Sequence, residues 1–170
     1  MTVLRALLPS LVVVLLTLLA ALPWGLGGDM RLAVPLLPTV VLFAWNLRRR
    51  NAVPEVIAFL AGIALDALSQ GPLGYWALLN LTAFAAASAM RGGGADASLP
   101  ARWLTHAAGM VAIAVIAWGV SSLYAMQASE VRPLAIAVGL AVATWPLLAA
   151  VIAMLDPRPG AANGNLVRGG

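Results

Sequence analysis

Apolar runs of about the length needed to cross a membrane recur along this chain and constrain its fold more than any other feature. A hydrocarbon core about 30 Å thick takes about 20 helical residues to cross. Inside lipid every backbone polar group must be paired within the chain, which favours helices. The sequence predicts an all-α, polytopic integral membrane protein with six transmembrane helices, at Leu4–Leu22, Leu32–Asn46, Val53–Ser69, Leu73–Met90, Trp103–Gln127 and Pro133–Leu155.

Composition supports the membrane class and argues against others. Hydrophobic residues make up 62% of the 170 residues and charged residues only 9%, against about a quarter charged in soluble domains. The basic residues form no solvated patch of the kind that binds nucleic acid. With no cysteine and one histidine, disulfides are excluded and neither a metal site nor a cofactor is expected. We expect one six-helix transmembrane domain over residues 1–156 and a flexible cytoplasmic tail, rich in Gly, Pro and Asn, over 157–170.

The arginines predict the orientation of the spans, because basic residues accumulate on the cytoplasmic side. If both termini are cytoplasmic, only Arg31 and Arg132 lie outside. The remaining arginines then lie inside: Arg5, Arg48, Arg49, Arg50, Arg91, Arg102, Arg158 and Arg168.

The second span is short and carries Pro35 and Pro38, so we expect an irregular start that becomes regular helix by Val40. Omitting this span would place the three consecutive arginines on the same side as Arg31. The charge distribution therefore favours retaining it.

Asp66 is an unusual residue because it lies in an apolar run, about three residues before the predicted end of the third span. The turn after it contains Gly71, Pro72, Leu73 and Gly74. In one interpretation the carboxylate accepts hydrogen bonds from unpaired N–H groups at the start of the fourth helix, with Pro72 suited to a helix start and the glycines to a tight turn. Alternatively, Asp66 carries a proton or cation, binds a substrate, or faces another membrane protein.

Small residues spaced four apart predict where helices approach closely. Ala58 and Gly62 share one face of the third helix with Asp66. A second such face, in the sixth span, comprises Ala135, Gly139 and Ala143.

Other polar residues suggest no chemistry. His106 follows Arg102 by four residues near the cytoplasmic interface, so we expect a hydrated side chain. The glycine-rich segment from Arg91 to Pro100 lacks the lysine and the strand-to-helix context of a phosphate-binding loop, and is expected to be a flexible cytoplasmic linker. We find no pairing of nucleophile and base, and expect no enzymatic activity and no catalytic residues.

Residues 31–78 resemble the MreD family of bacterial rod-shape-determining proteins. The similar features are a short second helix that opens with proline, a helix ending in G-x-x-x-D, and a small polar turn followed by L-G. Here these are Pro35 or Pro38, Gly62, Asp66, Leu73 and Gly74, and the segments Leu22–Trp24 and Trp145-Pro146 are also similar.

The resemblance implies a non-enzymatic scaffold in the bacterial inner membrane. Such a protein would bind the single-span protein MreC and act with MreB, RodA and a penicillin-binding transpeptidase to direct lateral peptidoglycan synthesis and cell shape. Membrane lipid and a second copy of the chain are further possible partners.

The family's six-helix arrangement also looks like the substrate-binding membrane subunit of energy-coupling-factor vitamin transporters, which is the alternative function. A vitamin binder needs polar side chains converging on a pocket, whereas the predicted outer segments contain few polar residues. A small proton-coupled carrier would need an internal repeat, and none is evident.

Overall fold

The described part of the protein is entirely helical. The computed structural model describes residues 2–25, 27–91 and 98–156. The all-α prediction is confirmed over these residues. They form α1 (Thr2–Ala20), a short 3-10 helix (Gly28–Met30), α2 (Leu37–Arg48), α3 (Glu55–Ser69), α4 (Tyr75–Met90), α5 (Leu99–Ala125), α6 (Val131–Ala143) and α7 (Trp145–Leu155). The predicted tail and most of the glycine-rich linker lie outside the described residues.

The second predicted span begins irregularly, as expected from its prolines. Residues 31–36 form successive turns, in which the Leu36 N–H donates to the Leu32 carbonyl at 3.1 Å. Regular helix begins at Leu37. Pro38 occupies the first turn of α2, where its missing N–H would have had no helical partner.

The sixth predicted span is two helices rather than one, so that prediction is wrong in this respect. α6 and α7 meet at Thr144 with a bend of 52°. The cause is Pro146, which lies in the first turn of α7. Proline has no N–H to donate, and its ring collides with the carbonyl four residues earlier, so an unbroken helix cannot pass through it.

α2 lies at the centre of the bundle, although it is among the shortest helices and its span was the least regular in sequence. Every residue from Pro38 to Asn46 is buried, as expected of a helix that is surrounded by others. It packs against α1 and α4, and α4 in turn forms an extensive pair with α3. α5 packs against α4 and α6, while α7 makes the lightest contacts.

Large apolar side chains cover much of the exterior. On α1 alone, Leu7, Leu11, Leu15 and Leu18 are each more than half exposed. A water-soluble monomer rarely exposes apolar surface on this scale. By length and composition, α5 could cross a membrane by itself, and α6 with α7 could form a second crossing if the bent pair spans together.

Ion pairs tie the connecting segments together at the two ends of the bundle. At one end Arg31 pairs with Glu130 at 3.3 Å and Arg132 with Asp29 at 3.1 Å. At the other end Asp156 follows α7 and lies 3.6 Å from the Arg49 guanidinium. Both arginines predicted to lie outside are therefore at one end, opposite Arg49.

Candidate functional site: a carboxylate-capped hairpin

The turn between α3 and α4 brings Asp66 to the start of the next helix. Gln70 ends α3 in the left-handed region, at φ +53°, and Gly74 precedes α4 at φ +93°. Only Gly74 among the turn glycines has a positive φ, a conformation that glycine adopts without steric cost. The conformational role predicted for Gly71 is therefore not required, because the first left-handed residue is Gln70.

Pro72 and Leu73 lie within the turn. Pro72 was predicted to start the helix, but α4 begins three residues later, at Tyr75. The Pro72 carbonyl instead accepts a hydrogen bond from the Tyr75 N–H at 3.2 Å. Leu73 is 80% exposed, so its side chain contributes little to packing within the chain.

The Asp66 carboxylate is buried and accepts three backbone hydrogen bonds. Oδ2 accepts from Gly74 at 2.9 Å and Ala77 at 3.3 Å, while Oδ1 accepts from Trp76 at 2.9 Å. The first N–H groups of a helix have no partner within it, and the helix dipole favours an anion there. Gly74 has no side chain to serve as a cap, so the carboxylate of α3 caps α4. The hydrogen bonding predicted for Asp66 is confirmed.

Gly62 allows α3 to approach α4 closely enough for this contact. A Cβ at position 62 would collide with the backbone of Ala77 and Trp76. Ala58, one turn before, is fully buried as well. The small-residue face of α3 is therefore a contact between helices of the same chain, and Gly62 is not accessible to another protein.

A second polar link lies one turn further along α4. The Asn80 side-chain amide donates from Nδ2 to the Ala58 carbonyl at 3.1 Å, and its Oδ1 accepts from Thr39 Oγ1 at 2.7 Å. All the side-chain atoms involved are buried. Asn80 thereby joins α2, α3 and α4 around the hairpin.

This arrangement is suited to holding helices together. Both Asp66 carboxylate oxygens accept from backbone donors, and the residue as a whole is 1% exposed. Over residues 2–25, 27–91 and 98–156, no group of three or more His, Cys, Asp or Glu residues could bind a metal ion. The site supports a structural role more readily than ion or proton transfer.

His106 is buried, so the expectation of a hydrated side chain is wrong. Its ring lies 5.5 Å from the ring of Phe43 and 6.1 Å from that of Trp145, measured between centroids. α5 begins before the predicted start, at Leu99, and continues the helix around this residue. The sequence contained a signal for this burial, because His106 begins a series of positions spaced three or four residues apart that share one face of α5. The buried positions of α5 are His106, Gly109, Met110, Ile113 and Ala117.

The small-residue face of α6 points away from the bundle. Ala135, Gly139 and Ala143 are exposed, and a Cβ at position 139 would meet nothing within 4 Å. This face is not a helix contact within the chain. Contact with another chain remains a prediction.

A small cavity lies beside the turns that precede α2. Its volume is about 200 Å³, and its lining includes Trp24, Arg31 and Pro35. Pockets for small-molecule ligands usually have about 300–1,000 Å³. The Arg31 side chain supplies a cation, already paired with Glu130.

Fold and site together define a class: a helical bundle with an apolar exterior, built around a hairpin that a buried carboxylate caps. No family model matches the chain, no curated protein matches it significantly, and neither does any solved structure. The resemblance to MreD thus depends on the motif residues, most of which lie in or beside the capped hairpin.

Proposed function

We propose that this chain is a six-span, non-enzymatic scaffold of the bacterial cell-elongation complex, located in the inner membrane and binding MreC. The observation that carries the proposal is the capped hairpin. The residues Gly62, Asp66 and Gly74, on which the resemblance depends, act together to join two helices. A structural role therefore accounts for these motif residues, and no catalysed reaction is needed to explain them.

Six spans are supported by the surface and by the ends of the bundle. The apolar exterior of α1 and α5 suits lipid, and the charged pairs lie at opposite ends of the bundle. α3 is 15 residues long, or about 22 Å. The turns at both of its ends are therefore part of the crossing in this proposal. α6 and α7 together form the sixth span.

A scaffold needs faces that partner helices can reach. Because the Gly62 face is buried against α4, the proposed MreC surface lies elsewhere. Two exposed faces are available: the leucine-rich face of α1, which includes Leu11, and the small-residue face of α6, which includes Gly139.

Orientation can be tested with single cysteines, because the chain contains none. We expect Gln127→Cys to react with a membrane-impermeant maleimide in intact spheroplasts. Asn51→Cys should react only after permeabilisation. Equal reactivity of the two positions in intact spheroplasts would contradict the six-span arrangement.

Partner binding is tested by purifying the full chain in mild detergent with co-expressed MreC from the same organism. An unrelated single-span protein serves as the control. We expect MreC alone to remain attached. Absence of MreC from the purified chain would contradict the scaffold, and a tightly held small molecule would support the vitamin-binding alternative.

Two surface variants would locate the interface. Gly139→Leu and Leu11→Ala each change an exposed position, so the fold should be retained. Loss of MreC from one variant alone would assign the contact to that helix. Retention by both would exclude these two faces from the interface.

A further inference from the structure

The bend between α6 and α7 leaves backbone acceptors without their usual donors. In an unbroken helix the N–H of residue 146 would donate to the Val142 carbonyl. Pro146 has no N–H, so that carbonyl needs another partner. An acceptor left unpaired away from water is unfavourable in protein or lipid.

Trp103 on α5 supplies the missing donor. Its indole Nε1 donates to the Val142 carbonyl at 3.0 Å. The two residues are 39 positions apart in the chain, so the bond joins two separate helices. At the same bend, Thr144 Oγ1 donates to the Leu140 carbonyl at 2.7 Å.

His106 lies one turn after Trp103 and borders the same junction. Its ring is near Trp145, the first residue of α7, and neither ring nitrogen has a partner of good hydrogen-bond geometry. Two successive turns of α5 thus contact the α6–α7 junction, one through a hydrogen bond and the other through packing.

α7 beyond the bend is held lightly. Only Trp145 and Ile152 of its residues are buried. Past its far end, the Asp156 carbonyl accepts from Arg48 at 3.1 Å, and the Asp156 carboxylate accepts from the Trp45 indole at 3.4 Å. The helix is therefore held mainly at its two ends, with little buried surface between them.

We infer that the junction at Thr144 is a hinge and that the Trp103 indole is the latch that fixes its angle. When the bond from Nε1 to the Val142 carbonyl is absent, that carbonyl retains only the Thr144 N–H, which it shares with the Leu140 carbonyl, and α7 changes its angle relative to α6. This device does not depend on the identity of the partner protein.

The test measures the position of α7 directly by electron-electron double resonance. Spin labels are placed at Val56→Cys and Met154→Cys, which are exposed positions on α3 and α7. Nine residues from Trp145 to Met154 give an arm of about 13 Å. Complete straightening of the 52° bend would move its end by about 12 Å.

The decisive variant is Trp103→Phe, which keeps an aromatic ring but removes the donor. Trp118→Phe is a matched control, because Trp118 is on the same helix and equally exposed, and its Nε1 donates to the Ser129 carbonyl at 3.0 Å. We expect Trp103→Phe to shift or broaden the 56–154 distance by several ångströms, roughly a third of the full swing, and Trp118→Phe to leave it unchanged.

Two results would overturn the inference. One is an unchanged distribution in Trp103→Phe, and the other is an equal change in both tryptophan variants. A label pair at Val56→Cys and Leu123→Cys, which does not involve α7, verifies that the remaining bundle is intact. If Trp103→Phe does not fold, Trp103→His supplies a smaller N–H donor. Wild-type distances with histidine, together with loss of folding with phenylalanine, support the latch, and loss of folding with both contradicts it.

Discussion

Two helix junctions in this protein leave backbone polar groups unpaired, and a side chain from another helix completes each. Between α3 and α4, the free N–H groups at the start of α4 are paired by the Asp66 carboxylate. Between α6 and α7, the Val142 carbonyl freed by Pro146 is paired by the Trp103 indole. At the first junction the backbone N–H groups lack acceptors, and a carboxylate supplies them. At the second junction a backbone carbonyl lacks its helical donor, and an indole N–H supplies one.

The two junctions differ in how firmly their helices are packed. The hairpin has three hydrogen bonds to one carboxylate, two of them buried and one part-buried, and a buried backbone contact at Gly62. The bend has one indole bond at a part-exposed side chain, and α7 buries little. Because packing and polar pairing are combined at the hairpin alone, we expect it to be rigid and the bend to be adjustable.

Gly62→Leu gives the largest expected effect. The side chain would collide with the backbone of α4, and backbone cannot move aside as a flexible side chain can. We expect the free energy of unfolding to fall by more than about 4 kcal/mol, which is exceptional for a point substitution. The variant should then fail to purify as a monodisperse protein. Gly139→Leu on α6 is the matched control and should melt within a few degrees of wild type. Similar melting temperatures for the two variants would contradict the view that the contact at Gly62 makes the hairpin rigid.

Asp66→Leu comes next, because it leaves three N–H groups without their acceptor, two of them buried and one part-buried. Each unpaired group costs about 1 kcal/mol or more, so we expect the free energy of unfolding to fall by roughly 3 kcal/mol. Thermal unfolding in detergent measures this change. Asp66→Asn retains one acceptor oxygen and should lose about half as much. Equal losses in both variants would mean that the charge, and not the hydrogen bonding, matters.

Pro146→Ala sharpens the comparison at the other junction. Alanine restores the N–H for the Val142 carbonyl, which then competes with the Trp103 indole. We expect a smaller bend, measured as a changed 56–154 label distance, with a stability change of less than about 1 kcal/mol. An unchanged bend would show that packing, rather than proline, sets the angle.

Asp29→Asn should have the smallest effect. Asp29 is also an aspartate, but its pair with Arg132 is largely exposed, and such pairs contribute about 0–1 kcal/mol. We expect a melting temperature within about a degree of wild type at moderate salt. A loss as large as that of Asp66→Leu would contradict the view that burial gives the hairpin carboxylate its importance.

Local reasoning from the sequence correctly predicted the hairpin. Asp66, the turn and the start of α4 are only 8 to 11 residues apart, so their meeting follows from one helix end and one short turn. The four-residue spacing of Ala58, Gly62 and Asp66 likewise placed them on one face. The same spacing in α6 produced an exposed face. Spacing predicts which residues share a helix face, but it does not predict whether another helix packs against that face.

The sequence by itself determined the helical class and the irregular start before α2, and it indicated Asp66 as a cap for α4 beside other roles for that residue. Each depends on apolar length, proline chemistry or a contact close in sequence. Only the tertiary structure decided that α2 is central, that His106 is buried, and that Trp103 reaches Val142. Those outcomes depend on which helices become neighbours, and packing between segments far apart in the chain is set by the whole bundle rather than by any local pattern.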